Sequence, residues 1–472
     1  MRWLFRRADV RGRRPRRPAI VMLSIPLLLS SPAVAQDLFT GSVASGTATS
    51  ERLPLSLADA IARGMKTNLG ALVANQNVRT AQGARGEALS RLLPDLTAGV
   101  NETSEQINLA AFGFKNFPGI ATIVGPFGLT DTRAFLSQPI VNFQSLYNAR
   151  AATADQKAAT LSAQDARDVV ALVVTGLYLQ TGAAASRIET GRAQVKAAQA
   201  VYDQAVDFRT NGVVPAIEVL RAQVELQTQQ QRLISYQNDM QKLKLRLARA
   251  IGLPDGQVFD LTDTIPFSPA PPLRLEDAIA RAYTSRMDYQ SAAARVQAAE
   301  LVGKAVDAQR LPTADFNGNY GDIGPSPDNS HGTYTAAVSV SVPVFQGGKV
   351  RNEVLQADAE VERRKAELAN LRGRIAFEIR TAYLDLASAG EQTRVAGSTV
   401  ALAQQQLAQS QDRFAAGVTD NLEVVQAQEA VATANENYIS SLYVYNAAKA
   451  TLARSIGNAE KTIPSMLQGG LQ

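Results

Sequence analysis

The side chains that usually catalyse reactions or hold metals are scarce in this chain of 472 residues, which has no Cys and a single His, His331. Without thiols there is no disulfide framework, no thiolate metal centre and no lipid-modified N-terminal cysteine. One imidazole leaves almost no material for His-based metal or acid–base chemistry. His331 stands between Asn329 and Gly332, which predicts an ordinary surface imidazole in a loop. Gly347-Gly348-Lys349 lacks the upstream glycine spacing of a phosphate-binding loop; after Phe345 it reads as the turn from a strand into a helix. With no nucleophile–base pair and no metal cluster, no catalytic residue, metal or cofactor is expected. Two acids remain in marked surroundings: Glu218 and Glu423, each six residues after a glycine, Gly212 and Gly417. Their ordinary reading is that of an acid near a helix start, where the helix dipole favours negative charge.

The formal charge of +5 invites a nucleic-acid reading, but its source is local. Residues 1–35 read as a secretory signal. Arg2, Arg6, Arg7, Arg11, Arg13, Arg14, Arg16 and Arg17 precede an apolar stretch from Ala19 to Leu29, and Ala33-Val34-Ala35 forms the small-residue cleavage pattern. Removing this segment takes away eight of 48 basic and one of 43 acidic residues, leaving 40 and 42. The mature chain is slightly acidic, and nucleic acid falls away as a partner. Mean hydropathy is −0.09, and no uninterrupted apolar run reaches the 18 residues that would predict an ordinary helical membrane span.

The elements that position these residues are written twice. Leu55-Ser56-Leu57-Ala58-Asp59-Ala60-Ile61-Ala62-Arg63 reappears as Leu273-Arg274-Leu275-Glu276-Asp277-Ala278-Ile279-Ala280-Arg281, a shift of 218, and Leu93-Pro94 matches Leu311-Pro312. Further on the shift becomes 205. Tyr178 matches Tyr383, Glu218-Val219 matches Glu423-Val424, and Leu247 to Gly252 matches Leu452 to Gly457. The boundaries that follow are a flexible N-terminal segment at 36–54, a first repeat at 55–252 and a Pro-rich linker at 253–272 (with Pro266, Pro269, Pro271 and Pro272). A second repeat at 273–457 and a tail at 458–472 complete the chain. Each repeat predicts one helix of about 38 residues ending at Leu-Pro, two strands, and a very long helix (about 148–209, then about 349–414). That helix breaks at Asn211-Gly212 or Gly417, and a last helix stops at Gly252 or Gly457.

Residues Thr333 to Val342 alternate without a break: Tyr334, Ala336, Val338, Val340 and Val342 face one way, and Thr333, Thr335, Ala337, Ser339 and Ser341 the other. Ten such residues match a transmembrane β-strand of about 9–11 residues; a soluble antiparallel sheet has the same period, and a secreted chain whose remaining bulk is long helix favours the membrane. Asp95–Asn101, Asp131–Ile140 and Asp315–Tyr320 are weaker versions. Four strands cannot close, and an open edge cannot survive in lipid, so several chains must share one barrel. The loops between strands carry Phe112, Phe114, Phe117 and Phe127 in the first repeat, and Gly324 to Gly332 in the second. A helix of 62 residues spans roughly 90–95 Å, and the two shorter helices of a repeat add to a similar length when stacked. Val400, Ala403, Leu407, Ser410 and Phe414 form a 3-4 seam, with Val195, Ala198, Tyr202 and Ala205 equivalent. Gln223, Gln227, Gln229, Gln230, Gln231, Gln404, Gln405, Gln406 and Gln409 predict hydrated, uncharged faces that suit either the outside of a cylinder or a water-filled lumen.

The signal peptide, the duplicated helix–Leu-Pro–hairpin–long-helix unit, and the paired Gly212…Glu218-Val219 and Gly417…Glu423-Val424 turns resemble the TolC-like outer-membrane efflux protein family over about residues 50–460. The resemblance implies an α+β membrane protein: a homotrimer with a twelve-stranded barrel in outer-membrane lipid and a twelve-helix α-barrel across the periplasm. It implies a passive channel of a tripartite efflux or type I secretion system, working with a periplasmic adaptor (membrane fusion) protein and an inner-membrane transporter. Pro139 and Pro343 resemble the family's prolines where strands turn into tunnel helices. The tips near 208–221 and 414–427 correspond to the periplasmic entrance, with Arg209, Asn211, Gly212, Val213, Ala415, Gly417 and Val418 as adaptor-docking candidates. By position Glu218 and Glu423 carry over as gate residues. The chain departs from the family where Gln426 replaces a second acidic ring and Thr419 replaces a link-forming arginine. The alternative reading is a periplasmic coiled-coil adaptor or scaffold, which would not need Thr333–Val342 to alternate so cleanly.

Overall fold

The computed structural model describes residues 38–114, 119, 121–263, 267–270 and 273–467. The signal peptide, Phe117, Pro266, Pro271, Pro272 and residues 468–472 of the tail lie outside the described residues. The first repeat runs through β1 (Leu53–Leu55), α1 (Leu57–Thr67), α2 (Leu69–Ser90), β2 (Asp95–Asn108), β3 (Ile123–Val141), α3 (Phe143–Thr210) and α4 (Ala216–Ala250). The second runs through β4 (Phe259–Leu261), α5 (Leu275–Ser285), α6 (Met287–Asp307), β5 (Thr313–Gly324), β6 (His331–Ser341), α7 (Lys349–Ala415) and α8 (Asn421–Ile456), and α9 (Ala459–Leu467) follows.

The two long helices have 68 and 67 residues, roughly 100 Å each. Along α3, α2 and α6 pack beside one part and α4 beside another; along α7, α6 and α8 do the same. Alanine makes this close approach possible. Ala149, Ala154, Ala158, Ala163, Ala166, Ala198 and Ala205 of α3 are all buried, and Ser291 of α6 donates from its Oγ to Ala158 O at 2.8 Å. The start of α3 is set locally by Asn142, whose side chain accepts from Ser145 N at 2.9 Å, a standard helix cap. One stretch of α3 is long and apolar enough to cross a membrane by length and composition, although polar residues interrupt it. Much of it is committed to the interior, since Val170, Ala171 and Val174 are fully buried.

Those residues belong to a core built twice over. Ala60, Ile61, Val170, Val174, Leu247 and Ile251 have the counterparts Ala278, Ile279, Ile375, Ile379, Leu452 and Ile456, and all twelve are buried. The hydrogen bonds are duplicated as well. Tyr178 Oη donates to Leu55 O at 3.0 Å and Tyr383 Oη to Leu273 O. Thr67 Oγ1 donates to Ile251 O and Ser285 Oγ to Ile456 O. Burial pushes the Tyr178 phenol up to about 12, so it remains a neutral donor. Each repeat thus fastens its beginning to its end. Gly252 and Gly457 sit at these junctions with positive φ, +65° and +106°, and a Cβ on either would collide with Thr67 or Ser285. The terminal glycines are helix stops and also points of close approach.

The single helix predicted for residues 55–92 is two helices, broken at Asn68 (ψ 133°), and its counterpart breaks at Arg286 (ψ 123°). Asn68 leaves the helix because its side chain has better partners: Oδ1 accepts from Gly70 N, while Nδ2 donates to Phe39 O and Ala250 O. Arg286 makes the equivalent contact from Nη1 to Ser455 O.

Three segments read as linkers or tails are tied into this core. The expected flexible segment 36–54 enters β1, which pairs in parallel with β4 inside the expected linker 253–272. Lys449, fully buried, holds that linker by donating from Nζ to Ser268 Oγ at 2.9 Å. In the tail, α9 buries Ile463, Met466 and Leu467, and Glu460 pairs with Arg167 at 2.8 Å.

The four long strands form one antiparallel sheet in the order β2-β3-β5-β6. They are longer than predicted because the backbone ladder continues past the alternating segments, pairing residues 102–108 of β2 with residues 123–130 of β3. The register carries the alternation of β6 across the sheet. Ala336 lies opposite Gly318, then Leu136, then Leu96; Tyr334 opposite Tyr320, then Ala134, then Ala98. The other face reads Thr335, Asn319, Phe135, Thr97 and then Ala337, Asn317, Ser137, Asp95, polar apart from Phe135 and Ala337. Phe127 is a β3 residue opposite Glu105 and His331 is the first residue of β6 opposite Ile323, so neither lies in a loop. Phe112 closes a 3-10 turn after β2 and is exposed with Phe114.

Candidate functional site: the paired helix–turn–helix tips

The two turns at the ends of α3 and α7 have the same hydrogen-bond design. In the first, Gly212 N donates to Arg209 O at 3.0 Å and Val213 N to Phe208 O at 2.8 Å; in the second, Gly417 N donates to Phe414 O and Val418 N to Arg413 O. This is a Schellman ending with glycine in the left-handed region, φ +73° at Gly212 and +71° at Gly417. The turn leaves Val213 and Val418 pointing into solvent, 64% and 69% exposed. Arg209, Asn211, Ala415 and Gly417 are exposed around them. Beneath the tips lies a small core of Val201, Ala205, Val219, Ala222, Phe414 and Val424. The Phe208 and Phe414 rings meet 5.5 Å apart, joining the two hairpins. The predicted seam is present here, with Ala403, Ser410 and Phe414 buried on α7.

The two acids differ in setting. Glu423 is partly exposed in the first turn of α8. Thr419 Oγ1 donates to its Oε2 at 2.6 Å, Arg413 Nη2 lies 3.6 Å away, and Ser410 Oγ donates to Oε1 at 3.3 Å. The Thr419 hydroxyl, with help from Arg413 and Ser410, holds this carboxyl below the usual carboxylate range. Thr419 thus restrains Glu423 in the place where an arginine link was missing, and Arg413, across the same turn, supplies a basic partner that spacing alone did not single out. Glu218 is buried, with Arg221 Nη1 2.7 Å from Oε1 and no partner for Oε2. Gln426 is exposed one turn beyond Glu423.

The hairpins are tied to each other by residues that the repeat pattern did not reveal. Asn421, fully buried, donates to Glu218 O at 3.4 Å. Arg232 on α4 grips Glu429 on α8 through both guanidinium nitrogens at 2.7 and 2.8 Å. Arg187 on α3 reaches Glu436 at 2.8 Å. The readable signal was opposite charge at matching depth on facing helices, but the facing had to be known first. Among the described residues no group of three His, Asp or Glu side chains could hold a metal ion.

At the far end, Pro139 sits near the end of β3, next to a register shift, opposite Asp315. On its other side β2 begins only at Asp95, opposite Ser137, so the missing N–H breaks no ladder bond there. Pro343 follows β6 in the short passage to α7, where Gly347 and Gly348 both take positive φ. The turn reading of Gly347-Gly348-Lys349 agrees with this geometry.

Known proteins share both the sequence and the architecture. A family model described as "Outer membrane efflux protein" matches residues 68–253 and 278–458. The alkaline protease secretion protein AprF of Pseudomonas aeruginosa is 24% identical over 334 residues, 67% of each chain. The outer membrane protein VceC of Vibrio cholerae superposes with a TM-score of 0.71 at 17% identity, covering 85% of this chain and 96% of that one. The Campylobacter jejuni CmeC outer membrane channel gives 0.72 at 16% identity, covering 89% and 91%. The family match takes in both repeats and well over half of the chain; the chain belongs to the outer membrane efflux protein family, whose members are outer-membrane channels and not enzymes.

Proposed function

We propose that three copies of this chain form the exit duct of a tripartite efflux or type I secretion system, conducting solutes passively across the periplasm and outer membrane. The observation that carries the reading is the four-stranded sheet. One apolar face runs through all four strands, and both edge strands, β2 and β6, lack a partner on their outer side among the described residues. Such a sheet is viable in lipid only when other chains close it. Three copies make a twelve-stranded barrel, and their four long helical columns each make a twelve-helix wall. Val344 and Phe345, exposed where the sheet meets α7, are covered by a neighbouring subunit. The name of AprF favours protein secretion as one cargo class, while the family description favours efflux. A periplasmic adaptor or scaffold would have no use for the continuous apolar sheet face.

Within this reading the tips form the periplasmic entrance, and Glu423 lines it. Three such carboxylates around one axis attract cations, and the Thr419 hydroxyl favours the charged form of each. Replacing Glu423 with Gln removes three charges and is expected to lower cation-over-anion selectivity about several-fold in planar-bilayer recordings. Unchanged selectivity and unchanged block by divalent ions would remove Glu423 from the gate.

Adaptor docking is assigned to the exposed apolar tips, Val213 and Val418 with Arg209 and Ala415 beside them. Photo-cross-linkers at 213 and 418 are expected to capture a periplasmic adaptor in cells, while one at Gln404, further along α7 from the tip, is not. Capture of the adaptor at 404 alone would move the docking surface away from the tips.

A further inference from the structure

Of the glutamines predicted to be hydrated, Gln229 is the exception, only 3% exposed. It lines an open-sided cavity of about 280 Å³ between α3, α4, α7 and α8. Its Nε2 donates to Glu225 Oε1 at 2.7 Å, and its own Oε1 has no partner. Across the cavity Gln428, 7% exposed, has neither amide atom partnered. Glu225 is itself buried, and the nearest basic residues on its helix are engaged elsewhere, Arg221 with Glu218 and Arg232 with Glu429. Leu407, Val431 and Ala197 supply apolar lining beside the polar Thr190, Gln194 and Asn435.

Glu225 has only a neutral amide as its hydrogen-bond partner, and beside it Gln229 Oε1 and both amide atoms of Gln428 are open, a costly arrangement for buried polar groups. A bare metal ion does not suit the site: one carboxylate with scattered amide oxygens falls short of the six to eight hard ligands a calcium ion takes, and the cavity is far larger than an ion. We infer that this cavity binds a small organic ammonium ion. Its head donates to Glu225, Gln229 Oε1 and Gln428 Oε1, and its carbon body lies against Leu407 and Val431. Glu225 and Gln229 come from the first hairpin, Leu407 and Gln428 from the second, so the occupant bridges the two.

The test uses phenethylammonium as the probe on the full-length protein purified from outer membranes. Titration calorimetry is expected to show saturable binding with Kd on the order of 10⁻⁴ M, in keeping with the modest energy available to a ligand of this size. Glu225→Gln should weaken binding by about ten-fold or more, and the uncharged isostere 2-phenylethanol should not bind the wild type measurably. Ala197→Leu, which fills the cavity and leaves the carboxylate in place, should abolish binding too, and this keeps the test intact if Glu225→Gln fails to fold. Absence of saturable binding, equal affinity for 2-phenylethanol, or unchanged affinity in Ala197→Leu would mean a cavity filled by water only, and would overturn the inference.

Discussion

Val338→Arg is expected to reduce the protein assembled in the outer membrane by about ten-fold or more, whereas Thr335→Arg leaves the yield near that of the wild type. Val338 lies on the apolar face opposite Phe316, and Thr335 on the polar face opposite Asn319. An arginine near the middle of the lipid-facing band costs about 2–4 kcal/mol. Since about 1.4 kcal/mol is a factor of ten, even the low end reaches the expected loss before three subunits are counted. On the other face a guanidinium meets water, and Arg133, already there, sits beside Asp131 at 2.6 Å. Quantifying each variant in isolated outer membranes reads the difference. Equal losses for both would mean that the two faces have been misassigned.

Arg286→Met is expected to destabilise the junction of α5 and α6 by about 3–5 kcal/mol, the usual consequence of removing one partner from a buried ion pair. Arg286 is 3% exposed, donates to both Asp288 oxygens at 3.0 and 2.7 Å, and reaches Glu378 at 2.6 Å. Burial opposes its charge, but the bonds to Asp288 and Glu378 more than offset this and raise its pKa. Burial likewise acts to raise Asp288, yet Arg286 outweighs it and holds that carboxyl below its ordinary value of 3.8. A depressed carboxylate stabilises the fold above its unfolded pKa and loses that contribution as the pH falls through the folded value. The gap in thermal stability between wild type and variant should therefore be full above about pH 4 and shrink as the pH is lowered further. A gap that is constant with pH would assign the loss to packing alone.

The repeat made most of the helical architecture legible. Matching Leu247–Gly252 to Leu452–Gly457 located both helix ends and, with Tyr178 and Tyr383, the residues of the shared core. Thr333–Val342 exposed one strand because both of its faces obey a strict rule. Its neighbours were fainter: β2 carries Asn and Glu where the ladder outruns the apolar band, β3 starts through Gly125, Pro126 and Gly128, and Phe135 stands on the polar face. The break at Arg286 was hidden because no Pro or Gly ends the helix there; besides its near neighbour Asp288, the guanidinium reaches Glu378 and Ser455, partners that only the fold brings near. The tip turns were legible through Gly212 and Gly417. The grip of Arg232 on Glu429 was not, since 197 residues separate the two. Gln229 was misread for a related reason: it belongs to a Gln-rich run, and its burial depends on which helix packs above it.

The central claim is that three chains close one barrel through the open edges β2 and β6. The chain has no native cysteine, so introduced pairs report alone. Thr97→Cys on β2 can be combined in turn with Thr333→Cys, Thr335→Cys or Ser339→Cys on β6, all on the polar face, and oxidised in outer membranes before denaturing electrophoresis. At least one pair is expected to give dimers and closed trimers, and no species above three chains. Monomers with every pair, or a ladder running on past the trimer, would contradict the shared barrel.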